Sequence, residues 1–453
     1  MIALEKAGIP TVSLTARHFE RDARASGAAM GLAAIPLAIV EETFTSHSDD
    51  QIRAMVATAL DAIEKSLTTA PMEIAAKSVS RAQRESVEGD DLLDCAERYN
   101  RAAIEYGWSD GFPLVPPTPR AVERMLAGCP LTPDTVIADA LYPGLGIATL
   151  EKIAINGVMA GCRPEHLAVL VALVRAYVGT GPMGKTQAMS TGPNAPLVMI
   201  SGPVVERLGF NNSTCALGPG SASYVNTVVG RALRLILMNI GQAYPGKMDM
   251  DTIGTANKYS FCVAENAAKS PWKPWNVEKG HAPETSTLSI ALVYPGPDVL
   301  DWTSTTPEGF LDTLASLTAH YQGTASIGRW LYGGRADPIS GEKIYEKNVL
   351  LLAPEHARIM KEHDWSRADI GRYLYLKSRM PFKDLYRPMA RDKDEALAKA
   401  YPELMWLLDA PETMVPAAER PECYEVFVVG GEAGRSQFYF GGSEVSTVAI
   451  DEW

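Results

Sequence analysis

Two short apolar runs near the N-terminus, IPTVSLTA (residues 9–16) and AAIPLAIVEE (33–42), alternate with two amphipathic stretches. The stretches are ARHFERDARASGAAMG (16–31) and SDDQIRAMVATALDAIEKSLT (48–68). The runs read as buried strands and the stretches as helices, the second with Ser48 as its N-cap. MIALEKAG reads as the last turns of a preceding helix, with Gly8 at the C′ position. The order β-α-β-α is half of an open parallel sheet, and such a sheet needs more strands and cover on both faces. The expectation is that a separate partner chain supplies the missing strands.

Residues 71–95 are charged and weakly periodic and read as a linker between this unit (1–70) and a larger α/β domain (96–453). That domain opens with the helix CAERYNRAAIEYG (95–107). A turn at Trp108-Ser109-Asp110-Gly111 follows, then a short strand FPLV and a helix beginning at Pro119. APLVMISGPVVERLGF (195–210) and NVLLLAPEHARIMKEHDW (348–365) both read strand, Pro, helix, and each follows a helix. They suggest a duplicated core, with convergence on a common unit as the alternative. YEVFVVGGEAGRSQFYFGG (424–442) reads as strand, glycine-rich turn and strand, a hairpin or a sheet edge.

The segment that promises chemistry is 209–266. A polar loop, GFNNSTCALGPGS, runs into an apolar helix expected over 221–240. Thr227, Arg231 and Arg234 fall on one arc of that helix. Buried guanidinium groups need partners, either carboxylates of the protein or an anionic ligand. The backbone N–H groups of Asn211, Asn212, Ser213, Thr214, Gly218 and Gly220 ahead of a helix N-terminus suit an anion. Cys215 lies in the same loop as a candidate nucleophile. Glu265, Asn266 and Lys258 are candidates to orient or protonate a substrate. Asp110 is a candidate acid at a strand mouth, with turn-former as its plainer role.

Lys152, on the helix TLEKIAINGVMAG (149–161), can hold a carboxylate or form a Schiff base, or sit on a solvated face with Asn156. Lys185 lies in an irregular stretch, GTGPMGKTQAMSTGPN (179–194), long enough to cover a substrate. Cys162 and His166 flank a helix start and form a weaker thiol–base candidate. Cys262 is expected inside a strand.

A net charge of −12 over 453 residues argues against nucleic acid and anionic membranes as partners. No apolar run reaches bilayer length, no leader is visible after Met1, and the six cysteines form no C-x-x-C, so a cytoplasmic protein with reduced thiols is expected. No metal motif and no cofactor motif is evident.

LEKAGIPTV, the following helix, the IP-bearing strand and the acidic turn before a final helix resemble the second half of the UGSC-type (seleno)protein domain. That family is similar to the selenoprotein B component of glycine reductase. Its Cys/Sec-Gly-Ser-Cys turn stands upstream of the stretch present here. The resemblance implies a small companion subunit carrying that motif, with a dimer of heterodimers as a candidate assembly. WSDGFPLVPPT, EKIAINGVMAGCRPE, ALGPG, GRALRLILMNIG, KYSFCVAENAAKSPW and GGEAG resemble the large domain that accompanies such units. The implied activity is attack by the companion's Cys or Sec on a carbon–heteroatom bond of a small anionic substrate, with oxidoreductase or lyase chemistry. The alternatives are a lyase or hydrolase using Cys215, and a non-catalytic scaffold for a thiol partner.

Overall fold

The structure is a computed structural model that describes residues 4–5, 8–29, 32, 34–44, 47–69, 85–320, 329–336, 341–385, 393–432 and 434–450. It is an α/β protein. In the N-terminal unit β1 (Ser13–Ala16) pairs in parallel with β2 (Leu37–Val40), Leu14 opposite Ala38 and Ala16 opposite Val40. The helices are α1 (Glu20–Ala29), α2 (Asp49–Ala57) and α3 (Leu60–Thr68). Ser48 caps α2 through a complete capping box with Gln51. Gly8 has a left-handed backbone and its N–H bonds Glu5 O, as a helix-terminating glycine should. Residues 6–7 and 71–84, the latter most of the expected linker, lie outside the described residues. The next helix, α4 (Leu92–Glu105), starts inside that expected linker, capped by Asp91.

The second helical layer comprises α5 (Pro119–Leu126), α6 (Leu150–Ala160), α7 (Leu167–Gly179), α8 (Pro182–Ala188), α9 (Val204–Leu208) and α10 (Tyr224–Asn239). Two expectations fail here. FPLV forms no strand, because Pro113, Pro116 and Pro117 lack ladder donors. The stretch 179–194 is not irregular throughout, since α8 occupies its middle. An antiparallel pair, β3 (Val136–Leu141) and β4 (Gly146–Thr149), leads into α6.

The centre is one mixed sheet. Its strands are β5 (Ala195–Ser201), β6 (Cys262–Ala264), β7 (Thr287–Tyr294), β8 (Asp298–Leu300), β9 (Asn348–Leu352), β10 (Tyr424–Val428), β11 (Arg435–Gly441) and β12 (Ser446–Ala449). The order is β10-β9-β11-β7-β5-β6, with β12 on β7 and β8 on β11. Each half has the same connectivity. Its first strand, β5 or β9, pairs in parallel with the second and antiparallel with the third, while the fourth crosses to the other half. The C-terminal segment is no hairpin: β10 is a sheet edge and β9 lies between it and β11.

Strand alternation explains three cores at once. Leu197, Met199, Val263, Val293, Val349, Leu351, Phe427 and Tyr439 meet in a single inner cluster. Their neighbours Val198, Ile200, Ile290 and Leu292 face the layer of α6, α7 and α10. Leu350, Leu352, Val426, Val428, Phe438 and Phe440 pack with residues of three further helices, α11 (Pro307–His320), α12 (Pro354–Glu362) and α13 (Arg367–Lys377). β5, β6, β7 and β9 are buried on both faces along almost their whole length, so they read as apolar runs. The sheet curls until its edges meet. Asn266 N–H donates to Val428 O at 2.9 Å, and Trp275 packs edge-on against Phe427. No single helix among the described residues is long and apolar enough to cross a membrane.

Candidate functional site

The arc on α10 is real, but its cations are met by the protein's own acids. Arg231 grips Asp110 with both ends of the fork, Nε to Oδ2 at 2.8 Å and Nη2 to Oδ1 at 2.9 Å. Such two-pronged pairing is the strong form of the guanidinium–carboxylate bond. The same Nη2 donates to Pro113 O at 3.0 Å. Arg234 meets Asp249 at 3.1 Å, and Lys258 bridges Asp249 and Asp251 at 2.8 and 2.9 Å. Of the two alternatives for the arginines, the structure shows internal carboxylates. Asp110 is accordingly an ion-pair and turn residue, not a free acid: its Oδ1 also accepts from Phe112 N–H.

The loop ahead of α10 is likewise turned inward. Asn211 Nδ2 donates to Thr214 O, Cys215 O and Ser223 Oγ, and Ser223 Oγ donates to Cys215 O. Ser213 N–H and Gly218 N–H are spent on Asn211 Oδ1 and Cys215 O. Gly218 and Gly220 both hold positive φ, which other residues rarely adopt. Thr227 contributes its carbonyl to Ser260 Oγ. Cys215 is exposed, and among the described residues no histidine or carboxylate bonds its sulfur. The loop then forms the seam of the curled sheet. Asn212 Nδ2 donates to Glu265 O, Gly430 N–H donates to Asn212 O, and Asn266 Nδ2 donates to Gly430 O. Thr214 crowds Gly431, where a Cβ would come within 2.3 Å of its Oγ1. Gly431 and Gly434 therefore serve close approach, whereas Gly430 has open space where a Cβ would stand and instead holds a positive φ.

Glu265 lies under that seam and is 1% exposed. Its carboxylate accepts from Ser201 Oγ at 2.6 Å and Trp275 N–H at 2.9 Å, with Arg367 Nη2 at 3.7 Å. Burial pushes the carboxyl above its ordinary value, and the same burial lowers Arg367. Cys162 and His166 do not pair. The buried Cys162 thiol donates to Val228 O and is pushed up by burial, while His166 Nδ1 accepts from Arg163 N–H. Cys262 is buried in β6, as expected. Lys185 lies on α8, and its side chain falls outside the description.

Lys152 is placed differently. It stands in the first turn of α6, behind the Thr149 cap, on the wall of a groove of about 1490 Å³. Val122, Leu126, Ile155, Met159, Trp108 and Tyr244 give the groove an apolar and aromatic lining. The ammonium has one hydrogen bond, to Ile147 O at 3.3 Å, and among the described residues no carboxylate partner. Arg98, also on the groove, pairs with Asp94 at 2.8 Å. Asn156 is held by Asn239 Nδ2 at 2.8 Å. Tyr99 Oη and Asn239 Oδ1, buried along the same wall, have no hydrogen-bond partner among the described residues. Burial pushes the Tyr99 hydroxyl up to about 12. Sequence reading missed Tyr99 and Asn239, which look like ordinary helix positions until α4, α6 and α10 converge.

Residues 1–69 match the UGSC family. The match covers β1, β2 and α1 to α3. No curated protein and no solved structure matches the chain. The matched segment borders the groove, where Ala28 of α1 joins the lining. Among the described residues, no group of three or more His, Cys, Asp or Glu side chains could hold a metal ion.

Proposed function

We propose that this chain is the large subunit of a heteromeric enzyme whose small subunit completes the β1–β2 sheet and brings the nucleophile. The companion's Cys or Sec attacks a carbon of a small anionic substrate. A carbon–sulfur or carbon–selenium bond forms as the carbon–heteroatom bond breaks, and the leaving group departs with the electron pair. The groove beside α1 is the pocket in this reading, in place of the α10 arc, whose cations are already neutralised. The matched halves of the central sheet fit duplication of one β-α-β-β-β unit.

The observation that carries the reading is the incomplete sheet. β1 and β2 pair only with each other among the described residues, and Leu14, Leu60 and Leu67 of the same unit are 38%, 54% and 48% exposed. Two strands with uncovered apolar side chains are marginal alone. Affinity purification of the tagged chain from its native cells is the test. A stoichiometric small protein bearing C-G-S-C or U-G-S-C, whose Cys/Sec→Ser variant abolishes turnover, is the expected result. A chain recovered alone, or turnover that survives that variant, defeats the reading. Loss of turnover on Cys215→Ser with the companion intact would favour chemistry on this chain instead.

A further inference from the structure

Resting on the groove as pocket, we infer that Lys152 anchors the single carboxylate of a ligand whose apolar or aromatic body lies along α5 and α6. The ammonium is half-buried, with one long bond to a carbonyl and, among the described residues, no acid partner, so it keeps donors for a carboxylate. The wall around it, Trp108, Val122, Ile155 and Met159, suits an apolar body and offers nothing ionic to it. Glu85, Glu88, Glu123 and Glu151 also line the groove. They repel a polyanion, so nucleotides and other phosphate-rich ligands are disfavoured. A monoanion directed at Lys152 meets a cation that, unlike the Asp94-paired Arg98, has no carboxylate partner among the described residues, and it keeps its apolar end on the aromatic side. The groove is larger than common small-molecule sites and leaves room for a body bigger than a two-carbon acid.

Calorimetric titration of the full chain with 2-naphthoate and with neutral 2-naphthylmethanol tests the anchor. The wild type should prefer the acid. Lys152→Met should weaken the acid at least about tenfold while shifting the alcohol less than about twofold. Lys152→Arg should restore most of the loss, and unchanged thermal melting confirms that the variants fold. Equal binding of both probes by the wild type, or an acid affinity indifferent to Lys152→Met, overturns the anchor and leaves the groove standing. Binding of neither probe removes the groove as a pocket together with the anchor. Purification with a small thiol subunit is read separately and does not depend on either result.

Discussion

The β1–β2 sheet and the central sheet face the same problem, strand edges and apolar faces that must be covered, and meet it in opposite ways. The central sheet covers itself. Its edge strands close through the Asn266–Val428 bond, its inner faces fill one core, and helices lie on both outer halves. The N-terminal sheet has two strands among the described residues, with a small cluster of Ala16, Ala38, Val40 and Ala59 on one side. A closed sheet needs nothing further for stability, whereas an open one is a template for another chain. The difference gives the seam residues structural work; in the proposed reading, recognition falls to the N-terminal unit and the groove beside it.

The largest effect expected from breaking the closed sheet is at Arg367, the cation nearest the buried Glu265 carboxylate. Arg367→Met leaves that carboxylate without its cation and should lower global stability by about 3–5 kcal/mol in denaturant unfolding. The same site has a pH signature. Burial raises the Glu265 carboxyl above its ordinary 4.5, so its contribution is fully present below that value and is lost as pH rises through the folded-state value. Glu265→Gln should flatten that part of a stability–pH curve. Next is the two-pronged Asp110–Arg231 pair. Single alanine variants and the double variant should show a coupling of about 1.5–3 kcal/mol. Additive losses would reopen the ligand role for Arg231.

Smaller effects belong to the open sheet. Ser48→Ala removes the capping box of α2. It should cost about 1 kcal/mol, read as faster exchange in α2 with no change in the central strands. Leu14 is already partly exposed, at 38%. Leu14→Lys should therefore shift the stability of the isolated chain by no more than about 0.5 kcal/mol, yet abolish capture of the companion.

Local signals reached far into this fold. Ser48 as cap, Pro119 at a helix start, and the alternation of β1, α1, β2 and α2 follow from neighbouring residues alone. Long-range partners did not. Asp110 lies 121 positions before Arg231, and no local pattern announces that the two will meet. The same holds for curling of the central sheet, since strands buried on both faces show apolar runs but no register. The glycine-rich turn before β11 read as either a hairpin or a sheet edge; β10 is the edge, and β9, the strand between it and β11, lies far upstream in the chain. Lys152 was legible as a lysine on an apolar helix; its groove was not, being assembled from α4, α5, α6 and the end of α10.

Hydrogen exchange on the chain purified without a companion tests the central claim most directly. Amides of β1 and β2 should exchange orders of magnitude faster than those of β5, β7 and β9, and slow sharply when the small thiol-bearing subunit is added. Protection of β1 and β2 in the isolated chain equal to that of β5 and β7 would contradict the account.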